Sequence, residues 1–153
     1  MAMAVTFQLE AFTESLGREA EPLIEGHHAE VSGLLSKHIP ARIPFEHYQA
    51  LEDLGKLRVF TLREDGVLKG YNVFMFTEHH QHGTLAAFHD TLFVHPSIRR
   101  GTTGLRFLRW CDERLREHGA KFITQHVSEG KDIGPLFLRL GYKPAETIYI
   151  KPL

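Results

Sequence analysis

Cysteine is nearly absent from this chain: Cys111 stands alone among 153 residues. No intramolecular disulfide can form, so a disulfide scaffold is excluded and a reducing cytoplasm is the expected compartment. Long apolar runs are absent too. No stretch approaches the roughly 18–20 residues that cross a bilayer, so no membrane association is expected. Met1–Val5 has neither the basic region nor the apolar core of a secretory leader, and none is expected. Charge of one sign does not prevail either. The 18 Lys and Arg against 19 Asp and Glu leave a formal net charge of −1, which draws the chain to neither nucleic acid nor membrane. No internal repeat, low-complexity run or linker interrupts the sequence. A single domain over 1–153, with enough chain to bury a real core, is therefore expected.

Histidine is abundant, at 11 residues, which makes the net charge sensitive to pH near 6–7. Glu78-His79-His80-Gln81-His82 has the residue types of a zinc site. A hairpin turn scatters such rings, so a solvated turn without metal is expected. His27-His28 lacks a second ligand one helical turn on. Cys111 falls in the body of an amphipathic helix, where a small buried thiol is expected rather than a nucleophile.

Hydrophobic periodicity orders the elements. Thr6–Phe12 alternates as a strand. Thr13 or Ser15 caps a helix running through Arg18 to about Val31. Pro40 and Pro44 make 38–44 a connector. A shorter helix covers Phe45 to about Leu54 and stops at Gly55. Three strands follow, Lys56–Leu62, Val67–Thr77 and Leu85–Val94. The first two are joined by the hairpin signal Asp65-Gly66. A helix runs from Thr102 or Thr103 to about His118, with Leu105, Leu108, Cys111 or Trp110, and Leu115 on its apolar face. Lys121–Val127 is a strand, Ile133–Leu140 a short helix capped by Asp132 and ended by Gly141, and Glu146–Ile150 a final strand. The order β-α-α-β-β-β-α-β-α-β predicts an α/β (α+β) fold. It has a mixed, mostly antiparallel sheet of about six strands with helices on both faces.

The most informative segment is Val94-His95-Pro96-Ser97-Ile98-Arg99-Arg100-Gly101-Thr102-Thr103-Gly104-Leu105. A buried strand, a turn with glycine and a helix N-terminus make a seat for phosphate. The first helical N–H groups have no partner within the helix, and the helix dipole favours negative charge there.

With these neighbours the chain resembles the GCN5-related N-acetyltransferase (GNAT) superfamily. The family pattern Gln/Arg-x-x-Gly-x-Gly/Ala, after a strand ending Val-x-Pro, is matched by Val94-His95-Pro96, Arg99 and Gly104. Thr102 stands where the middle glycine is expected, with Gly101 one residue earlier. A second family element, Leu-Tyr-x-x-Leu-Gly-Phe/Tyr, reads Leu136-Phe137-Leu138-Arg139-Leu140-Gly141-Tyr142. Phe137 thus replaces a tyrosine that often serves as general acid, and Tyr142 is expected in the core.

The resemblance implies acetyl-CoA as cosubstrate, with no metal. Its pantetheine arm would lie where the fourth and fifth strands splay, against Phe93 and Val94. Its pyrophosphate would sit on backbone N–H groups over Arg100, Gly101, Thr102, Thr103, Gly104 and Leu105. Arg99, Arg100 and Lys131 would add charge contacts. Backbone N–H of the fourth strand would steady the thioester oxygen.

The general base is sought among Asp90, His89, Glu78 and His126. Strict alternation puts Asp90 with Phe88, Leu92 and Val94, and His89 with Ala87, Thr91 and Phe93. Alternation does not settle which face lines the cleft. The first two helices and their connector would wall the acceptor site and carry His27, His28, Glu30 and His38, which suits a polar acceptor. The expected activity is direct acetyl transfer to a primary amine, either of a small molecule or exposed on a larger one. The alternatives are transfer of another acyl group, a non-catalytic CoA-binding or protein-interaction relative, and a histidine-based metal module. A homodimer through the final strand or a sheet edge is a further expectation.

Overall fold

The structure, a computed structural model, describes residues 3–31 and 33–153. Met1 and Ala2, part of the segment read for a leader, lie outside the described residues. Five strands, β1 (Val5–Glu10), β2 (Leu57–Glu64), β3 (Val67–His79), β4 (Thr84–Val94) and β5 (Phe122–Thr124), form one sheet in chain order. The first four pair antiparallel and β5 adds in parallel beside β4. Four helices accompany them: α1 (Glu14–Glu30), α2 (Phe45–Asp53), α3 (Thr103–Glu117) and α4 (Gly134–Arg139). Among the described residues, no helix is long and apolar enough to cross a membrane.

Local chemistry explains the element ends. The Thr13 hydroxyl accepts from the Leu16 amide at 3.1 Å and caps α1. Asp65 and Gly66 both take positive φ, 50° and 82°, as a two-residue turn twisted to suit a β2–β3 hairpin requires. The Asp132 carboxylate accepts from the Gly134 amide at 2.8 Å, turning the chain into α4.

The helices divide by face. α1 and α2 cover one side of the sheet, where Leu16, Leu23, Val59, Leu68, Tyr71, Val73 and Phe93 pack together. α3 covers the other, where Phe107, Cys111 and Leu115 meet Phe60, Leu62, Phe74 and Ala87. Cys111 is fully buried, as its place on that helix predicts. Burying each large apolar side chain here contributes about 1.5–3 kcal/mol.

Two differences from the sequence reading matter. Residues 146–150 form no strand: among the described residues the sheet has five strands rather than six, and Ile148, Tyr149 and Ile150 are exposed. Their β-branched and aromatic residues favour extended backbone, but among the described residues no strand pairs with them, and propensity alone does not make a strand. β5 is also shorter than the run of apolar residues that announced it, so Gln125 to Val127 continue past the sheet.

Gly70 allows β3 and β4 to approach. A Cβ added there would lie 2.8 Å from the Phe93 carbonyl oxygen and 3.3 Å from the Val94 Cα, both backbone atoms that cannot swing aside. Gly70→Ala should therefore lower stability by about 1–3 kcal/mol, as overpacking does. Thermal unfolding checks this. An unchanged melting temperature would show that β4 shifts freely.

Candidate active site

β4 carries two irregularities that build the site. Its pairing with β5 extends only over Ala86–Phe88 against Phe122–Thr124. Past that point the two strands separate, and the β5-facing edge of β4 from Asp90 to Val94 has no strand beside it. The apex of the resulting V is held by side chains. The His89 amide donates to Thr124 Oγ1 at 3.3 Å, and the His126 amide donates to His89 Nδ1 at 3.4 Å.

The second irregularity is a β-bulge. Thr91 pairs with Val73 and His89 with Phe74, so Asp90 has no partner opposite it. One extra residue re-aims the strand. Before the bulge, His89 lies on the α3 side, edge-on to Phe74 at 6.0 Å. After it, Thr91 and Phe93 lie on the α1/α2 side, while Leu92 and Val94 join the α3 side. Asp90 and Thr91, although consecutive, both line the same cavity. The expected alternation fails here because it assumes an unbroken ladder.

That cavity has a volume of about 580 Å³ and lies between the sheet, α1, α2 and the 35–44 connector. The two helices and the connector are the elements that the sequence set around an acceptor site, and here they wall a cavity. His27 and His28 line it, but Glu30 and His38 do not. The Tyr48 hydroxyl donates to Asp90 Oδ2 at 2.5 Å. Burial first, and then the Asp90 charge, push the Tyr48 hydroxyl far above its ordinary value, so it stays protonated and remains a donor. His27 Nδ1 shares a 2.8 Å hydrogen bond with the Tyr71 hydroxyl, and its ring stacks on Phe93 at 5.2 Å. Burial, helped by the charges of His28 and Arg99, depresses His27 to about 4.

The remaining candidate bases are placed elsewhere. Glu78 pairs with Leu85 near the far end of the β3–β4 ladder and is exposed. His126 is exposed beyond β5. His89 is depressed to about 3, first by burial and then by His126. Phe137 is buried against Tyr142, whose hydroxyl donates to Asp112 at 2.7 Å. The rings of His79, His80 and His82 stack together at 4.8–5.0 Å. Among the described residues, no three or more His, Cys, Asp or Glu side chains are arranged so that they could hold a metal ion.

Beside the V lies the start of α3. Gly101 has φ 58°, a left-handed turn that suits glycine, and the helix begins without a side-chain cap. The Gly104 and Leu105 amides, in the first turn, have no partner among the described residues. A Cβ at Gly101 or Gly104 would meet nothing within 4 Å, so the approach to these amides is open. Arg99 and Lys131 converge on Glu30 at 2.7 and 2.9 Å. Arg99 also donates to the Val94 carbonyl at 2.6 Å and lies over the Phe93 ring. Arg100 pairs with Glu64 at 2.6 Å. An open strand edge, free helical amides and the cations of Arg99, Arg100 and Lys131 beside them could hold the pantetheine arm and the diphosphate of a CoA ester.

Neither a family model nor a curated protein matches the chain by sequence. Solved structures do match it in shape. A ribosomal-protein-alanine N-acetyltransferase from Brucella melitensis biovar Abortus superposes with a TM-score of 0.74 at 17% identity, covering 98% of each chain. An aminoglycoside acetyltransferase from an uncultured soil metagenomic sample reaches 0.73 at 14% identity over 99% of each. A GNAT family acetyltransferase from Staphylococcus aureus reaches 0.66 at 14%, covering 99% of this chain and all of that one. The chain has the GNAT acetyltransferase fold.

The sequence reading missed Tyr48 and Tyr71 as members of the site. Their only signal is an apolar stripe or strand position, which core residues share. It also placed His27 on a wall without its Tyr71 partner.

Neutral burial of His27 and His89 has a pH signature. Both fold with values below the unfolded 6.5, at about 4 and about 3. Unfolding exposes them to protonation, so the stability they contribute is present above pH 6.5 and is lost as pH falls through 4 and then 3. Chemical denaturation from pH 7 to 4 should show falling stability, and His89→Asn should flatten that slope. An equal slope in the variant would mean that His89 is accessible to protons in the fold.

Proposed function

We propose that this chain is an acetyl-CoA-dependent N-acetyltransferase acting on a primary amine of a small molecule. The observation that carries the reading is Asp90, displaced by the bulge into the cavity at the point where β4 leaves β5. The fold shared with acetyltransferases supports it, although fold alone does not assign activity.

When bound, acetyl-CoA supplies a thioester whose C–S bond breaks as the amide C–N bond forms. The residues serve that exchange. The Gly104 and Leu105 amides, with the rest of 100–105, hold the diphosphate at the α3 N-terminus. Arg99 and Lys131 turn from Glu30 towards it, since a diphosphate carries more charge than one carboxylate. Backbone at Phe93 and Val94 presents the open edge that a pantetheine amide pairs with. Asp90 binds the incoming ammonium and accepts its proton, directly or through water. The second proton that nitrogen sheds matches the one the departing thiolate takes up, so one proton is released per turnover.

Asp90 is favoured over His89, Glu78 and His126 because, of the four, it alone lines the cavity. A non-catalytic CoA-binding protein is the second reading. Phe137, buried where the family often carries a phenol, favours it.

Calorimetry with acetyl-CoA and a thiol-release assay over an amine panel test both. Absence of binding at millimolar acetyl-CoA removes both readings, and binding without thiol release leaves the second. Asp90→Asn should lower kcat by about 10²–10⁴-fold, the usual contribution of a general base, with acetyl-CoA affinity unchanged. Equal rates for variant and parent at every pH would exclude Asp90.

A further inference from the structure

We infer that the α1/α2 cavity takes a primary amine with an apolar body, not a sugar-like or polyhydroxylated one. That this amine is acetylated rests on the proposed transferase activity; the class of ligand rests on the cavity itself.

The cavity is large enough for such a body, since pockets for compact organic ligands span about 300–1,000 Å³, and this one holds about 580 Å³. Its walls are dominated by side chains such as Leu16, Ile24, Ile43, Leu68 and Val73. The polar groups among them are mostly engaged already. Thr61 Oγ1 donates to Glu10, the Tyr71 hydroxyl shares a hydrogen bond with His27, and the Ser36 hydroxyl donates to the Gly33 carbonyl. A polyhydroxylated ligand would bury its hydroxyls without partners, which is unfavourable.

A cation, in contrast, has one clear place. Asp90 is the only acidic residue lining the cavity among the described residues. Its carboxylate accepts one hydrogen bond, from Tyr48 to Oδ2. The other oxygen remains for an ammonium. Arg42, on the connector, is the one Lys or Arg in the lining among the described residues and repels a second positive charge. One carboxylate in an apolar chamber selects a monoamine. A polar acceptor, suggested by counting histidines, is disfavoured because Glu30 and His38 lie outside the lining and His27 is held neutral.

The test is binding of a series of primary alkylamines, from butylamine to octylamine, with 2-phenylethylamine, glucamine and hexanol as controls. Isothermal calorimetry on the free protein reads it. Each added methylene should tighten binding about fourfold until the cavity is full. Glucamine should bind at least about tenfold more weakly than hexylamine. Asp90→Asn should bring hexylamine to the level of hexanol, and Ala20→Phe, which fills the wall, should abolish the chain-length trend. A flat chain-length series, glucamine binding as well as hexylamine, or no alkylamine binding at millimolar concentration overturns the inference. Thiol release from acetyl-CoA separates the two claims. Alkylamine binding with this pattern but no thiol release leaves the ligand class standing and defeats the transferase. Thiol release with glucamine and none with hexylamine does the reverse.

Discussion

β4 is the strand on which every part of the site depends, because it is paired on both edges for three residues and on one edge afterwards. A backbone edge without a partner is an exposed row of donors and acceptors, normally a liability that proteins cover or blunt. Here it is held open by structure on both sides. β3 pairs with β4 from His79 opposite Thr84 up to Gly70 opposite Val94, with Asp90 alone unpaired at the bulge. β5 is anchored at the apex through Thr124 and His89. The α3 N-terminus follows four residues of turn after Ile98, which is buried to 1% exposure and fastens that turn to the core. Free strand edge and free helical amides are thus neighbours for one covalent reason: a single strand-turn-helix segment.

The bulge at Asp90 adds a second consequence to the same strand. In a regular ladder a carboxylate and the following threonine face opposite sides. With one residue unpaired, both face the cavity, and His89 is left on the packed side. A buried neutral histidine there costs about what its desolvation implies, and the Nδ1 bond from the His126 amide offsets part of it. The arrangement separates two ionisable neighbours by solvent exposure: Asp90 is exposed at the cavity, while His89 is half-buried with its Nε2 enclosed.

The two sheet faces differ in filling. The α3 side is closed by Phe60, Phe74 and Phe107, each fully buried. On the other side, Gly17 brings α1 against Phe45 of α2; a Cβ there would lie 2.4 Å from the ring. Gly17 itself lines the cavity, as residues of the connector do. Ion pairs then fasten the rim. Arg63 bridges Glu10 of β1 and Glu19 of α1, and Glu30 gathers Arg99 and Lys131. Half-exposed pairs of this kind contribute about 0–1 kcal/mol each, so their effect is on position more than on stability.

Periodicity and punctuation in the sequence determined the helices, four of the five strands to within two residues, the Asp65-Gly66 hairpin and the strand-turn-helix at 94–105. These are local properties: alternation, capping and left-handed turns act within a few residues, and a single chain displays them. Tertiary structure decided the rest. Whether 146–150 pairs with a neighbour, where β5 stops, and which side of the sheet Asp90 faces all depend on hydrogen bonds to residues distant in sequence. Strict alternation could not reveal the bulge, because the missing partner belongs to the opposite strand. Tyr48 and Tyr71 carry no sign of the site in the sequence; only packing sets a carboxylate and an imidazole against their hydroxyls. The apolar character of the cavity was equally hidden, because composition counts every histidine and glutamate on a helix, while only the packed fold decides which of them face inward.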